Sequence, residues 1–258
     1  MKVISITNQK GGVGKTTSAI NIAYFLAKMG LRTLLIDFDP QGNATSGLGI
    51  DKSQLEITMS DVISGEKMLK DVIVDTGFSC LKLAPSTPIL ANTEVELANA
   101  KGRFTRLKNA IENVRNDFDY VILDSPPSLS LLTVNGFIAS DYLVLPVQAE
   151  FYAMEGLGQL LESMKLVRKG MNPNLELLGV LPTMVDSRTT LSGQVYEEIK
   201  KFFPGKVFST PIPRNIRLAE APSHGVPVGI YDRFSKGARA YKAVAKEIIE
   251  RTQEKSNG

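Results

Sequence analysis

The feature that most constrains the fold of this chain is a glycine-rich segment at residues 10–17, which reads KGGVGKTT. It follows an apolar run at residues 3–7 and leads directly into a stretch of helical periodicity that begins at Thr16. Glycines let the backbone turn its N–H groups inward, and a helix N-terminus adds partial positive charge, so such a loop binds anions. The segment therefore predicts a strand, a phosphate-binding loop and a helix in that order.

Five short apolar runs recur along the chain, at residues 3–7, 33–37, 120–124, 142–146 and 177–181. They lack the alternation of half-exposed strands, so they predict parallel strands that are buried on both faces. Helical patterns lie between them, over residues 16–29 and in a stripe formed by Phe104, Leu107, Ile111 and Val114. This alternation predicts an α/β fold, a doubly wound, mostly parallel sheet with helices on both faces, as one P-loop domain over residues 1–258.

The composition excludes several other classes of protein. Cys80 is the only cysteine and His224 the only histidine, so the chain has too few soft ligands for a zinc or iron–sulfur site and no disulfide framework. We expect Cys80 to be a small buried residue. The sequence shows no signal peptide and no apolar segment long enough to cross a bilayer, which predicts a cytoplasmic protein.

Acidic residues follow two of the predicted strands. In doubly wound sheets the ligand lies beyond the carboxyl ends of the strands, where the glycine-rich loop, Asp39 and Asp124 would all meet. Lys15 would reach the β- and γ-phosphates of a nucleotide, and the Thr16 hydroxyl would ligate Mg²⁺. Asp124 stands at the Walker B position, whose carboxylate holds the metal through water. The sequence therefore predicts a site for ATP and Mg²⁺.

The loop departs from the usual GxxxxGK[ST] pattern, because Gln9 replaces the first glycine and Lys10 follows it. In this it resembles the deviant Walker A class of P-loop NTPases, which includes ParA/Soj, MinD and the nitrogenase iron protein. The resemblance implies that Lys10 reaches across a dimer interface to the partner's nucleotide. Residues 37–43 resemble the first switch of that class, which implies that Asp39 positions the attacking water and that Asp37 supports the metal. Residues 125–128 resemble the second switch.

Within that class the chain looks most like Soj, over residues 42–47, 146–150, 212–215 and 218–225. The resemblance implies that Met184, Pro213 and Asn215 frame the adenine and that Glu150 contacts the nucleotide near the interface. The predicted catalytic residues are Lys10, Lys15, Asp39 and Asp124, and the predicted metal site comprises Thr16, Asp39 and Asp124. The predicted nucleotide-binding residues are Lys10, Gly11, Gly12, Val13, Gly14, Lys15, Thr16, Thr17, Glu150, Met184, Pro213 and Asn215.

Positive charge is concentrated in the last part of the chain. Residues 188–258 contain 13 Lys and Arg against 7 Asp and Glu, whereas residues 1–187 contain 17 against 20. Arg188 and Arg217 match positions at which Soj-like proteins bind DNA without sequence specificity, and contacts with phosphate alone would give that behaviour. The alternative, that both are surface arginines in local salt bridges, stays open at this point.

The resemblance implies a ParA-type ATPase that forms a homodimer on binding ATP, coats non-specific DNA at the nucleoid and segregates a chromosome or plasmid. Its partner would be a ParB-type centromere-binding protein that stimulates hydrolysis. The alternative is a MinD-like ATPase that acts at a membrane through a terminal amphipathic helix. The last helical pattern has both charge signs on its polar face, so we expect it to pack on the protein's own core. A metabolic ligase such as dethiobiotin synthetase would need a substrate-carboxylate site, for which the sequence has no signature.

Overall fold

The computed structural model describes residues 1–150, 157–186 and 188–254 of the chain. A seven-stranded sheet runs through these residues. Its strands are β1 Lys2–Ile6, β2 Thr33–Asp37, β3 Val74–Asp75, β4 Leu81–Ala84, β5 Tyr120–Asp124, β6 Tyr142–Gln148 and β7 Glu176–Thr183. The spatial order is β3-β4-β2-β5-β1-β6-β7, and neighbouring strands run parallel except β3 and β4, which are antiparallel.

Helices cover both faces of the sheet. They are α1 Lys15–Lys28, α2 Asn43–Gly47, α3 Met59–Ser64, α4 Leu69–Val72, α5 Ile89–Leu97, α6 Arg106–Glu112, α7 Leu131–Ala139, α8 Leu157–Gly170, α9 Thr190–Phe202, α10 Ile216–Glu220, α11 Val228–Tyr231 and α12 Lys236–Glu254. Two short 3₁₀ helices span Lys52–Gln54 and Ala221–His224. Because side chains alternate along a strand, Ile4 and Ile6 of β1 pack with α1 and α12, whereas Val3 packs with α3, α5, α6 and α7. Leu143 and Leu145 of β6 pack with α7, α8 and α9.

The predicted fold class and all five predicted strands are confirmed. Sequence reasoning missed β3 and β4, which have two and four residues, fewer than the usual strand, and which include the polar residues Asp75 and Lys82. The stripe from Phe104 to Val114 is longer than α6. Its last turn tightens, since the N–H of Val114 donates to the carbonyl of Ile111 at 3.1 Å, three residues back.

The expectation that Cys80 is buried is wrong. The cysteine is exposed and has a φ of 61°, in the turn that connects β3 to β4. Because β3 and β4 were not predicted, the turn between them was not predicted either. Residues in such connections lie mostly at the surface, whatever their side-chain polarity.

The final helix packs on the core, as its charge pattern predicts. Tyr241, Val244, Ala245 and Ile248 are buried at 0–1% exposure, and Ile249 packs against the same cluster. This cluster also contains the apolar residues of α1. Among the described residues, no helix combines the length and the apolar character that crossing a membrane requires.

Candidate nucleotide-binding site

The glycine-rich loop lies at the carboxyl end of β1 and is tied to two neighbouring strands. The Asn8 side chain donates to the carbonyl of Pro146 in β6 at 2.7 Å, and the Thr183 hydroxyl of β7 donates to the carbonyl of Val13 at 2.8 Å. Gly12 and Gly14 have φ values of 74° and 86°, in the left-handed region that favours glycine. The loop is thus held open at the N-terminus of α1, where it can receive an anion.

Lys15 is the lysine at the start of α1. Its side chain folds back over the loop, and Nζ donates to the carbonyl of Lys10 at 2.9 Å. Burial lowers the pKa of the Lys15 ammonium, while the charges of Asp124 and Asp39 raise it again. The ammonium therefore lies close to both the phosphate-binding loop and the acidic strand ends. Its role as a phosphate ligand stays a prediction.

Asp37 and Asp124 are the last residues of adjacent strands and stand side by side in the register of β2 and β5. Both are fully buried. Asp37 accepts two hydrogen bonds from Thr45. Among the described residues, no donor reaches either oxygen of Asp124 with good hydrogen-bond geometry. Burial raises the pKa of this carboxyl, and the nearby Thr16 hydroxyl and Lys15 ammonium lower it in part. An unpaired buried carboxylate is costly unless a cation compensates it, so the residues present fit a divalent metal here.

The two carboxylates should make the metal-free protein less stable as the pH rises. Burial raises the pKa of Asp37 from 3.8 to about 6, and burial followed by the charge of Asp37 raises the pKa of Asp124 well above its usual range. A folded pKa above the unfolded value means that the native state holds a proton the unfolded state has lost, so stability falls through this window. For Asp37 the loss is complete once the pH exceeds the raised pKa.

We expect this loss in denaturant unfolding measured in EDTA across the range from pH 3.8 to about 6. The variant Asp37→Asn should lack that part of the pH dependence, because asparagine does not titrate. It should also bring the pKa of Asp124 closer to its usual range, since the charge of Asp37 no longer raises it. Carboxylates with lowered pKa values, such as Asp51 and Asp75, act with the opposite sign at lower pH and cancel in the comparison of the two proteins. Parallel curves for wild type and variant would show that burial of Asp37 does not perturb its titration.

A cavity of about 360 Å³ adjoins the phosphate-binding loop through Gly14 and Thr17. It contains all three residues predicted to frame the adenine, Met184, Pro213 and Asn215. Its other lining residues are Thr183, Ile212, Arg214, Ile216, Leu218, Ala219 and Tyr241. Mostly apolar walls with a few polar groups suit a flat heteroaromatic ring, and the position beside the loop suits a base whose phosphates lie in the loop.

Known proteins are similar to this chain over nearly its whole length. The family described as AAA domain matches residues 1–177. The sporulation initiation inhibitor protein Soj of Bacillus subtilis is 52% identical over 96% of this chain and 98% of its own length. The chromosome partitioning protein ParA of Myxococcus xanthus is 45% identical over 99% of this chain and 90% of its own length. This chain belongs to the ParA/Soj family of chromosome-partitioning ATPases.

Solved structures show how widely the ParA/Soj fold is shared. A cobyrinic acid a,c-diamide synthase from Mycobacterium smegmatis with a bound ATP analogue and magnesium is 37% identical, with a TM-score of 0.87 over 98% of this chain and 96% of that one. The cell division ATPase MinD of Pyrococcus furiosus is 25% identical, with a TM-score of 0.77 over 96% of this chain and 98% of that one. Fold alone therefore does not separate partitioning ATPases from their relatives.

Glu150 lies outside the cavity of this ParA/Soj family member. It follows β6 and is half exposed, hydrogen-bonded to Gln148 and 3.8 Å from the guanidinium of Arg214. Arg214 lines the cavity, so Glu150 stands one side chain away from it. Contact between Glu150 and a nucleotide stays a prediction.

Both arginines predicted to bind DNA form local ion pairs. Arg188 holds Asp186 with two hydrogen bonds of 2.9 and 2.7 Å, and Arg217 lies 2.8 Å from Glu220 and 3.5 Å from Asp232. In the isolated chain both residues are thus surface arginines in local salt bridges, which is the alternative that the sequence leaves open. Exposed pairs of this kind are worth about 0–1 kcal/mol, so DNA phosphate can compete for both arginines.

Sequence reasoning missed the residues that hold the acidic cluster. Thr45 in α2 binds Asp37, and Ser86 follows the unpredicted strand β4 and donates its N–H to Thr45. Tyr241 lines the cavity, but in the sequence it appears only as part of an apolar stripe. Thr45 lay within residues 42–47, which the sequence had marked as Soj-like, and that resemblance was the one available signal.

Proposed function

We propose that this chain is an ATP hydrolase that dimerises on ATP, binds DNA without sequence specificity and segregates a chromosome or plasmid. The observation that carries the proposal is the unpaired, fully buried Asp124 carboxylate beside Lys15 and the phosphate-binding loop. A structural role does not explain a buried carboxylate without a well-formed hydrogen bond, whereas a role in binding a metal nucleotide does. Membership of the ParA/Soj family supports the partitioning activity.

Each residue has a distinct role in this proposal. The N–H groups of residues 11–16 and the Lys15 ammonium bind the phosphates, and the base occupies the cavity at Met184 and Pro213. Mg²⁺, when bound, neutralises phosphoryl charge, and the Thr16 hydroxyl, Asp39 and Asp124 are the groups that would hold it. Asp39 is buried and accepts the N–H of Gln41, which leaves a carboxylate oxygen to orient the attacking water. Catalysis would then depend on positioning and electrostatics.

The partner side of the proposal follows from the family. Lys10 would complete the site of a second copy, so that hydrolysis is tied to the dimer. A ParB-type centromere-binding protein would stimulate hydrolysis and release the dimer from the nucleoid in the cytoplasm. We favour this over action at a membrane because the apolar stripe of α12, which a MinD-like anchor would expose, is buried in the core.

The DNA-binding role of the arginines gives a test of this function. We expect Arg188→Ala and Arg217→Ala each to weaken binding of a non-specific duplex and to reduce the slope of log affinity against log salt by about 1, since each removes one phosphate contact. Binding is measured by fluorescence anisotropy with ATP over a range of salt concentrations.

The matched control is Arg115→Ala. Arg115 is also exposed and ion-paired, to Glu112 at 2.7 Å. It lines a pocket with Met1 and Val3, at the opposite end of β1 from the loop. It should leave the salt slope unchanged. If the slope of log affinity against log salt were equal for all three variants and wild type, Arg188 and Arg217 would not contact DNA. That result would not affect the ATPase assignment.

A further inference from the structure

Thr45 makes the closest contacts to Asp37 in the acidic cluster. It lies in α2 and is completely buried, and both its backbone N–H and its hydroxyl donate to Oδ2 of Asp37 at 2.7 Å. In the described part of the chain, the other oxygen, Oδ1, receives only a long contact of 3.4 Å from the N–H of Asp39. The orientation of the Asp37 carboxylate is therefore set by Thr45.

The Thr45 hydroxyl is itself held in one direction. The N–H of Ser86 donates to Thr45 Oγ1 at 3.0 Å, so a lone pair of the hydroxyl faces Ser86 and its proton faces Asp37. The same segment supports the loop that carries Asp39. Gly42 has a φ of 62°, and a Cβ built on it would lie 2.6 Å from the Ser86 carbonyl. The chain leaving β4 thus holds both Thr45 and the first switch.

The oriented carboxylate stands beside the unpaired one. Asp37 and Asp124 are register neighbours on β2 and β5, and Asp37 raises the electrostatic cost of the Asp124 charge. Outer-shell groups that orient such carboxylates commonly control metal affinity. We propose that Thr45 is a positioning residue for the Mg²⁺–nucleotide site, and that its hydroxyl acts by orienting the Asp37 carboxylate. The proposal rests on the proposed function, since it needs that site to bind Mg²⁺ with a nucleotide.

The experiment compares binding of a fluorescent ATP analogue to the full chain with and without MgCl₂. Thr45→Val keeps the shape of the side chain but loses the hydroxyl, and we expect it to lower the Mg²⁺-dependent gain in affinity by about tenfold, at the lower end for outer-shell changes. Affinity without metal, which the phosphate-binding loop sets, should stay near wild type. Thr45→Ser retains the hydroxyl and should restore most of the gain.

A double variant separates action through Asp37 from a general loosening of α2. In an Asp37→Asn background the valine substitution should add little further loss, because its effect passes through the missing carboxylate. Thermal melting of each variant shows that it is folded at the assay temperature. If Thr45→Val is not, Thr45→Ala carries the same expectation, since it also lacks the hydroxyl and introduces no larger group.

Three outcomes would overturn the proposal: an unchanged Mg²⁺ gain in Thr45→Val, an equal loss in Thr45→Ser, or fully additive losses in the double variant. Failure of the proposed function would look different. In that case the wild-type chain itself would show no Mg²⁺-dependent gain in affinity for the nucleotide.

Discussion

Replacing Lys10 by alanine is expected to slow ATP hydrolysis by about 10³-fold while a single chain still binds ATP. The backbone of Lys10 already belongs to the loop, with its carbonyl accepting from Lys15 and its N–H donating to Asn8 at 3.0 Å. Alanine keeps both contacts, so the loop should stay formed. What it removes is the side-chain cation, which we expect to stabilise the transition state at a partner's γ-phosphate as an arginine finger does. Phosphate release and binding of a fluorescent ATP analogue measure the two properties separately.

Mixing two inactive variants tests whether Lys10 acts on the partner. Asp39→Ala should bind ATP and dimerise without hydrolysis, because nothing orients the water. A mixed dimer of Lys10→Ala and Asp39→Ala has one site with its own Asp39 and a Lys10 from the other subunit. With random pairing, about a quarter of wild-type activity should return. If the mixture stays inactive although mixed dimers form, the lysine acts within its own chain and the dimer mechanism is wrong.

Replacing Asp124 by asparagine should have opposite effects on activity and stability. Hydrolysis should fall by about 10²–10³-fold, because the site loses a charge that would hold the metal against the phosphates. In EDTA, above the raised pKa of the carboxyl, the same change should stabilise the fold by about 1–3 kcal/mol, since it removes a buried charge whose burial outweighs its attraction to Lys15. Urea unfolding and a phosphate-release assay on the same preparations measure both.

Asp119→Asn is the matched control for this exchange. Asp119 directly precedes β5, at the other end of the strand, and its carboxylate pairs with Arg32 at 2.8 Å. The amide should therefore cost a little stability and leave hydrolysis unchanged. An Asp124→Asn protein that was both less stable in EDTA and still active would show that Asp124 is a structural carboxylate.

Much of the fold and of the candidate site could be predicted from the sequence, because both depend on strong local sequence patterns. Buried parallel strands show as uninterrupted apolar runs, and the glycine-rich loop has to stand between a strand and a helix. Parallel strands bring their carboxyl ends to one edge, so Lys15, Asp39 and Asp124 had to meet once the strands were identified. The extent of the domain, 1–258, and the individual roles of the site residues remain predictions.

What the sequence could not provide depends on contacts between distant segments. β4 is short and carries a lysine, so its sequence shows no clear periodicity. Ser86, which follows β4, nevertheless positions Thr45, from which it is separated by 41 residues in the sequence. The pairing of Arg188 with Asp186 and of Arg217 with Glu220 depends on side-chain geometry that a charge count does not contain. The apolar pattern around Tyr241 indicates a core residue, and the side chain is indeed buried, with its hydroxyl hydrogen-bonded to Ser18 at 3.0 Å. The pattern does not show that Tyr241 also lines the cavity.

We expect this chain to bind DNA only when ATP is bound, and one titration tests this expectation most directly. A non-specific duplex is titrated with the wild-type chain in ATP, in ADP and without nucleotide, each at low and physiological salt. We predict tight binding with ATP alone that weakens steeply as salt rises, because several phosphate contacts release counterions. Equal binding in all three states, or no binding in any of them, would contradict the switch, and the second result would leave only the ATPase.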